Sequence, residues 1–176
     1  MLQQKYLPEF HFSEKHSILI SASPEKVSAI IPDMDASESW IIRMLLALRG
    51  IPAGTSRGME GWKKMGFVVL EHQTDKEIIL GLIGQFWKIS GKIQQCTAQE
   101  FVSFTDPEFA KATWNFVVTL QDSNRVLLET ETRIYCLDEK TRKRFKRYWF
   151  FIQPFSGLIR MQMLKIVKRK AELLKK

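Results

Sequence analysis

Asp138-Glu-Lys-Thr-Arg-Lys-Arg-Phe145-Lys-Arg-Tyr-Trp-Phe-Phe-Ile152-Gln-Pro154-Phe-Ser-Gly-Leu-Ile-Arg160 leads into Met161-Gln-Met-Leu-Lys-Ile-Val-Lys-Arg-Lys-Ala-Glu-Leu-Leu-Lys-Lys176, the last stretch of the sequence. From Asp138 onward the sequence holds 13 Lys/Arg against 3 Asp/Glu, in a 176-residue chain whose formal net charge is only +8. The rest of the chain is therefore close to neutral. Phe145, Tyr148, Trp149 and Ile152 recur at i, i+3, i+4 and i+7, the spacing of one helix face. Ile159, Met163, Leu164, Ile166, Val167, Ala171, Leu173 and Leu174 form a second apolar arc, with Lys165, Lys168, Arg169 and Lys175 opposite. The pattern predicts a long amphipathic helical region over about 138–174. A kink or break is expected around 154–157, because Pro154 removes a backbone donor and crowds the preceding turn. Arg160 and Lys170 fall inside the apolar arc; the plain expectation for Arg160 is a guanidinium snorkelling out to solvent.

Such a helix needs an apolar surface, and the preceding sequence supplies one. His16-Ser-Ile-Leu-Ile-Ser21 reads as a strand, and Ser23-Pro24-Glu25 as the start of a helix that Pro32 cuts short. Asp35 and Glu38 precede a second apolar helix at 40–48, and glycines mark a loop over 54–64. Strands follow at 66–72 and 77–83 around the turn Gln73-Thr-Asp-Lys76, with Gly81 and Gly84 suggesting a bulge or close backbone approach. Further strands are expected at 87–94, 101–105, 112–120 and 126–136. Trp114, Phe116, Val118 and Leu120 share one face of their strand; Val126, Leu128, Thr130, Thr132, Ile134 and Cys136 share one face of its partner. Glu129, Glu131 and Arg133 then point to water. The order gives an α+β fold: an antiparallel sheet of about seven strands, two short helices after strand 1, and a long kinked C-terminal helix gripped by the curved sheet.

The composition narrows the class. With 45% apolar and 11% aromatic residues, the chain is expected to fold as one domain over 1–176, its first ten or so residues extended. The N-terminal residues lack the apolar core and cleavage site of a secretory signal, and no run approaches the ~18 apolar residues of a membrane span. Cys96 and Cys136 have no paired-cysteine spacing, which fits reduced thiols in a cytoplasmic protein. A pI near 9.6 suggests an anionic partner, but no nucleic-acid motif is present. The charge concentrated in the C-terminal helix fits an anionic membrane surface better, although a merely solvated face remains the simpler reading.

Ser17-Ile-Leu-Ile-Ser-Ala-Ser-Pro-Glu-Lys-Val27 resembles the first strand and proline-started helix of the helix-grip superfamily, which includes Bet v 1, the START lipid-transfer domains and the polyketide cyclases/dehydratases (SRPBCC). Glu77-Ile-Ile-Leu-Gly-Leu-Ile-Gly-Gln-Phe-Trp87, Thr130-Glu-Thr-Arg-Ile134 and Arg147-Tyr-Trp-Phe-Phe-Ile-Gln-Pro-Phe-Ser-Gly-Leu-Ile-Arg160 are similar to a bacterial branch of it. The resemblance implies a cavity between sheet and helix that takes a hydrophobic small molecule or lipid, with no cofactor and no agreed catalytic set. Its wall would come from Leu80, Phe86, Trp87, Trp114, Phe116, Thr130, Thr132, Tyr148, Trp149 and Arg160, and Trp40, Met44 and Leu48 would form a gate. Core packing is the competing role for each aromatic residue, since wall and core share one face.

Chemistry is sparse. His11, His16 and His72 lack partners at metal spacing, so no metal is expected. Glu71 and His72 lie on opposite faces of one strand, so one of them could enter the cavity as an acid or base. Three functions stay open: a hydrophobic-ligand binder, a cofactor-free cyclase or dehydratase, and an interaction module with a filled core.

Overall fold

The computed structural model describes residues 1–35, 38–39, 41–44, 58–88 and 91–173. Helix α1 is Gln3–Tyr6, strand β1 Phe12–Ile20 and helix α2 Pro24–Ile30; residues 41–44 are helical, and α3 is Gly58–Lys64. Strands β2 (Val68–Gln73), β3 (Glu77–Gly84) and β4 (Ile93–Gln94) precede helix α4 (Ala98–Ser103). Strands β5 (Ala110–Asp122) and β6 (Arg125–Cys136) lead into helix α5, Glu139–Leu173. All pairings are antiparallel, in the order β1-β6-β5-β3-β2, with β4 also on β3. An antiparallel sheet holding a long C-terminal helix is the helix-grip architecture.

Among the described residues the sheet has six strands, close to the seven or so expected. Of the run 101–105, expected as a strand, 101–103 close α4, nucleated by a capping box in which Thr97 and Glu100 satisfy each other's backbone N–H groups, and Phe104 beyond it is extended. Of the expected strand 87–94, Ile93–Gln94 is the part that pairs among the described residues. Part of the expected loop 54–64 is helix α3. Helix α5 also runs through Pro154 without interruption. Pro154 and Phe150, whose carbonyl loses its usual intrahelical donor, both face water, so solvent can satisfy the group the proline orphans.

The inner face of the sheet carries Ile78, Leu80, Trp114, Phe116, Val118, Val126 and Leu128. Helix α5 lies chiefly across β1 and β6 and contributes Met163, Leu164, Val167 and Ala171, while α2 and α3 add Val27 and Trp62. Farther along α5 towards its N-terminus, Phe145 and Trp149 build a separate cluster with Ala110, Ile134 and Cys136. Glu38 ties its segment to the end of α5 by pairing with Arg169 at 3.1 Å and with Lys170.

The outer face is covered as well, contrary to the expectation that Glu129, Glu131 and Arg133 meet water and that the first residues are extended. Leu2 and Leu7 are buried, Leu2 in a cluster with Leu70, Ile79, Ile83 and Phe101. A side chain at Gly81 would run into Leu70 and Phe101, which explains the glycine. Around this cluster runs a polar network. Buried Glu77 accepts from Leu2 N at 2.8 Å and from Asn115 Nδ2 at 2.6 Å. Gln3 donates to the Glu131 carbonyl at 2.9 Å, and Arg133 Nε to Glu131 Oε1 at 2.7 Å. Arg133 is 8% exposed at its side chain and stacks its guanidinium 4.7 Å from the Phe10 ring.

Glu77→Ala strands two buried donors, Leu2 N and the Asn115 amide. It should lower the unfolding free energy by about 1–3 kcal/mol, read as a lower urea midpoint at unchanged slope.

Candidate functional site

The register places two rows of side chains across the inner face. Glu14 lies opposite Thr132 and Thr132 opposite Trp114; His16 lies opposite Thr130 and Thr130 opposite Phe116. Helix α5 crosses above them at Gly157. A Cβ at Gly157 would collide with Glu14 Oε1 and stand 3.1 Å from His16 Nε2. Glycine is what allows helix and edge strand to close on this pair of residues, a matter of space rather than of backbone conformation.

One helical turn on, Arg160 turns inward. Its Nε and Nη2 donate to Thr132 Oγ1 at 2.8 and 2.5 Å, and Nη1 donates to the Ser156 carbonyl at 3.1 Å and to the Ser156 hydroxyl. The guanidinium carbon lies 5.7 Å from the Trp114 ring centroid, within cation–π range. Arg160 is 13% and Glu14 10% exposed at the side chain, so the snorkelling expected from sequence does not occur. Burial pulls the Arg160 guanidinium down to about 10, an effect the Glu14 charge only partly offsets, and the group stays cationic at neutral pH.

The pair is not closed. Arg160 Nη1 stands 3.7 Å from Glu14 Oε2, too far for a hydrogen bond. His16 Nε2 lies 3.1 Å from Glu14 Oε1, whereas buried Oε2 has no hydrogen-bond partner among the described residues. A cation, a carboxylate with one unused oxygen, an imidazole and two hydroxyls thus converge under the helix. Such a cluster can receive a carbonyl, carboxylate or hydroxyl group, and can hold or pass a proton between Glu14 and His16.

The residues named from sequence do not converge on one space. Leu80, Trp114 and Phe116 belong to the central core, where the Trp62 ring packs 5.9 Å from Trp114 and stacks on Phe116 at 6.2 Å, and Phe67 lies 5.8 Å from Trp114. Thr130 accepts the Trp114 indole N–H at 2.7 Å, and Thr132 holds Arg160. Phe86, Trp87, Tyr148 and Trp149 gather instead around Phe145. Of the gate, Met44 is exposed, and Trp40 and Leu48 lie outside the described residues. Glu71 and His72 do not enter the interior. Glu71 pairs with Lys5 at 2.5 Å on the outer side, and His72 is exposed.

The clefts at the surface include two among the described residues. One of about 330 Å³ is lined by Asp33, Gly58, Met59 and Glu60. The other, of about 240 Å³, runs between Glu38, Ser39 and Ile41 on one side and the α5 residues Gln162, Lys165, Ile166 and Arg169 on the other. Neither reaches the aromatic core. Among the described residues no group of three His, Cys, Asp or Glu could hold a metal, and no helix is long and apolar enough to cross a membrane.

Sequence reasoning passed over Glu14 and His16, yet a signal was present. Both alternate in phase with Ile18 and Ile20, the buried side of β1, and Arg160 sat in the apolar arc of the facing helix.

Arg160→Ala leaves Glu14 enclosed without its counter-ion and should cost about 3 kcal/mol or more, whereas the double variant Glu14→Leu/Arg160→Met should recover most of that loss. Gly157→Ala should cost about 1–3 kcal/mol by displacing the buried Glu14 carboxylate and its His16 contact from beneath the helix. Urea unfolding of the four proteins checks both; a double variant no more stable than Arg160→Ala contradicts the pairing.

No family model matches the chain, and no curated protein matches it. Solved structures of similar shape include the XoxI protein of Bacillus cereus, at 16% identity and TM-score 0.40, covering 94% of this chain and 99% of that one. The TTHA0849 protein of Thermus thermophilus is 7% identical at TM-score 0.38, covering 94% and 100%. The Zhui aromatase/cyclase of Streptomyces sp. R1128 is 10% identical at TM-score 0.32, covering 90% and 94%. Likeness this low brings no activity to this chain, whose own sheet order and closing helix make it a helix-grip protein.

Proposed function

We propose that this is a cytoplasmic protein that binds an amphipathic small molecule between sheet and helix, with the ligand's polar end at Arg160 and Glu14. The observation that supports it is the incompletely paired buried charge. A buried Arg–Glu pair stabilises a fold little better than apolar residues of the same volume, so its presence favours recognition over stability. Arg160 would take a carboxylate or carbonyl oxygen, and Glu14 Oε2 would accept a hydroxyl. The apolar body would lie on Trp114 and Phe116, where Trp62 and Phe67 pack in this structure and would swing aside.

A second reading is cofactor-free proton transfer of the cyclase or dehydratase kind, favoured by His16 beside Glu14 at 3.1 Å. Here Glu14 and His16 would exchange a substrate proton while Arg160 stabilised enolate charge. The third reading, a filled-core interaction module, draws support from the packed aromatic core.

Native mass spectrometry of the purified protein, with organic extraction of any adduct, separates the three. The expected result is a discrete adduct bearing an acid or carbonyl group, absent from the fold-preserving variant Glu14→Leu/Arg160→Met. Recovery of a chemically converted compound, lost in His16→Gln, would select the enzyme. A bare mass after exposure to fatty acids, phospholipids and aromatic acids would leave the filled-core module.

A further inference from the structure

The water-facing side of α5 carries its own pattern. Phe150 is 75% exposed, Phe151 69%, Phe155 48% and Leu158 41%, with exposed Pro154 among them. Positions 150, 151, 154, 155 and 158 form one continuous stripe on a helix, about 12 Å long at 1.5 Å per residue. Monomeric proteins seldom leave several adjacent aromatic side chains in water without a use for them.

On the same outward side, exposed Lys140, Lys143, Arg144 and Arg147 precede the stripe, and Lys165 follows it, with Arg169 beyond already paired to Glu38. Between Glu139 and Glu172 the sequence has no acidic residue. Among the described residues Lys143, Lys146, Arg147 and Lys165 make no ion pair. An apolar centre bracketed by unneutralised cations matches an anionic bilayer, whose headgroups take the charge while the acyl boundary takes the rings. A second copy of the chain fits poorly, since pairing the stripes would bring two basic flanks together.

We infer that α5 docks the protein on an anionic membrane surface, inserting Phe150, Phe151, Phe155 and Leu158 while Lys143, Arg144, Arg147 and Lys165 meet the headgroups. The inference stands on the outer face of the helix and does not need the buried site to bind anything. The helix would lie in the plane of the interface, its inner side still gripped by the sheet.

Co-sedimentation with vesicles tests it, using phosphatidylcholine alone against phosphatidylcholine containing phosphatidylglycerol. The protein should bind only the anionic vesicles, and added salt should weaken binding. Phe150→Ser/Phe151→Ser/Phe155→Ser should reduce partitioning at least about 100-fold through lost insertion. Lys143→Gln/Arg144→Gln/Arg147→Gln should reduce it about 100-fold through lost attraction. The altered side chains are exposed, so the unfolding midpoint should hold in both; the charge variant remains informative even if the serine variant fails to fold. No binding by the unaltered protein, equal binding to neutral vesicles, or undiminished binding by either variant would overturn the inference. So would self-association, or retention of an oligonucleotide, that depends on the phenylalanines in a protein that ignores vesicles.

Discussion

The close passage of α5 over β1 at Gly157 is the constraint on which the rest depends. With no side chain there, the helix settles near enough to enclose Glu14 and His16, and Arg160 on the next turn can reach Thr132 on β6. A larger residue would push the Glu14 carboxylate out from beneath the helix, turning a buried pair into one open to water and worth little. On either side the contacts are apolar, Phe145 and Trp149 before and Met163, Leu164 and Val167 after. Burying each such side chain contributes about 1.5–3 kcal/mol, so apolar packing at the two ends holds the helix down while the polar middle sets what it encloses.

The aromatic core bears on whether a ligand can enter. Trp62, Phe67, Trp114 and Phe116 touch one another through tilted and stacked rings, and Trp114 is further fixed by its indole hydrogen bond to Thr130. Trp114 and Phe116 belong to a strand paired on both sides, so they are poor candidates to move. Trp62 belongs to the seven-residue helix α3 and Phe67 lies just before β2, at the end of the sheet order farthest from β1. Any opening should therefore run from that side towards the fixed wall and end at Arg160. A guest arriving by this route would meet rings first and charge last, the order suited to an amphipathic molecule entering polar end foremost.

Much of the fold was legible because its periodicities are long. Strands β5 and β6 alternate over a dozen residues, and the C-terminal helix repeats its apolar face on both sides of Pro154, so neither a one-residue slip nor a change of element fits. Short elements were harder. The run 101–105 suits strand or helix equally by periodicity, and Thr97 with Glu100 decided for a helix. The outer face was misread because the alternation of Glu129, Glu131 and Arg133 looks the same whether water or Gln3 and Leu7 lie beyond; only the N-terminal segment's return makes the difference. The site itself was half legible. Arg160 stood out as a charge in an apolar arc, but its partners come from β1, far away in sequence, and no local pattern links them.

One helix therefore carries two kinds of cation for two physical reasons. Its outward lysines and arginines are solvated, so they add little to stability in any conformation of the surface, and their number can be chosen for association alone. Arg160 is largely dehydrated, and its contacts with Thr132 and Glu14 depend on the register between α5, β6 and β1. The exposed phenylalanines at 150, 151 and 155 gain little within the monomer beyond the edge-to-face contact of Phe150 with Phe151. Pro154 belongs with them: it sits on the same exposed face as Phe150, whose carbonyl it leaves without an intrahelical donor, and there it leaves the inward contacts of Trp149 and Gly157 undisturbed. Division of labour across the helix thus follows from burial alone. What faces the sheet is fixed by packing, and what faces outward is free to be shaped by whatever the protein meets.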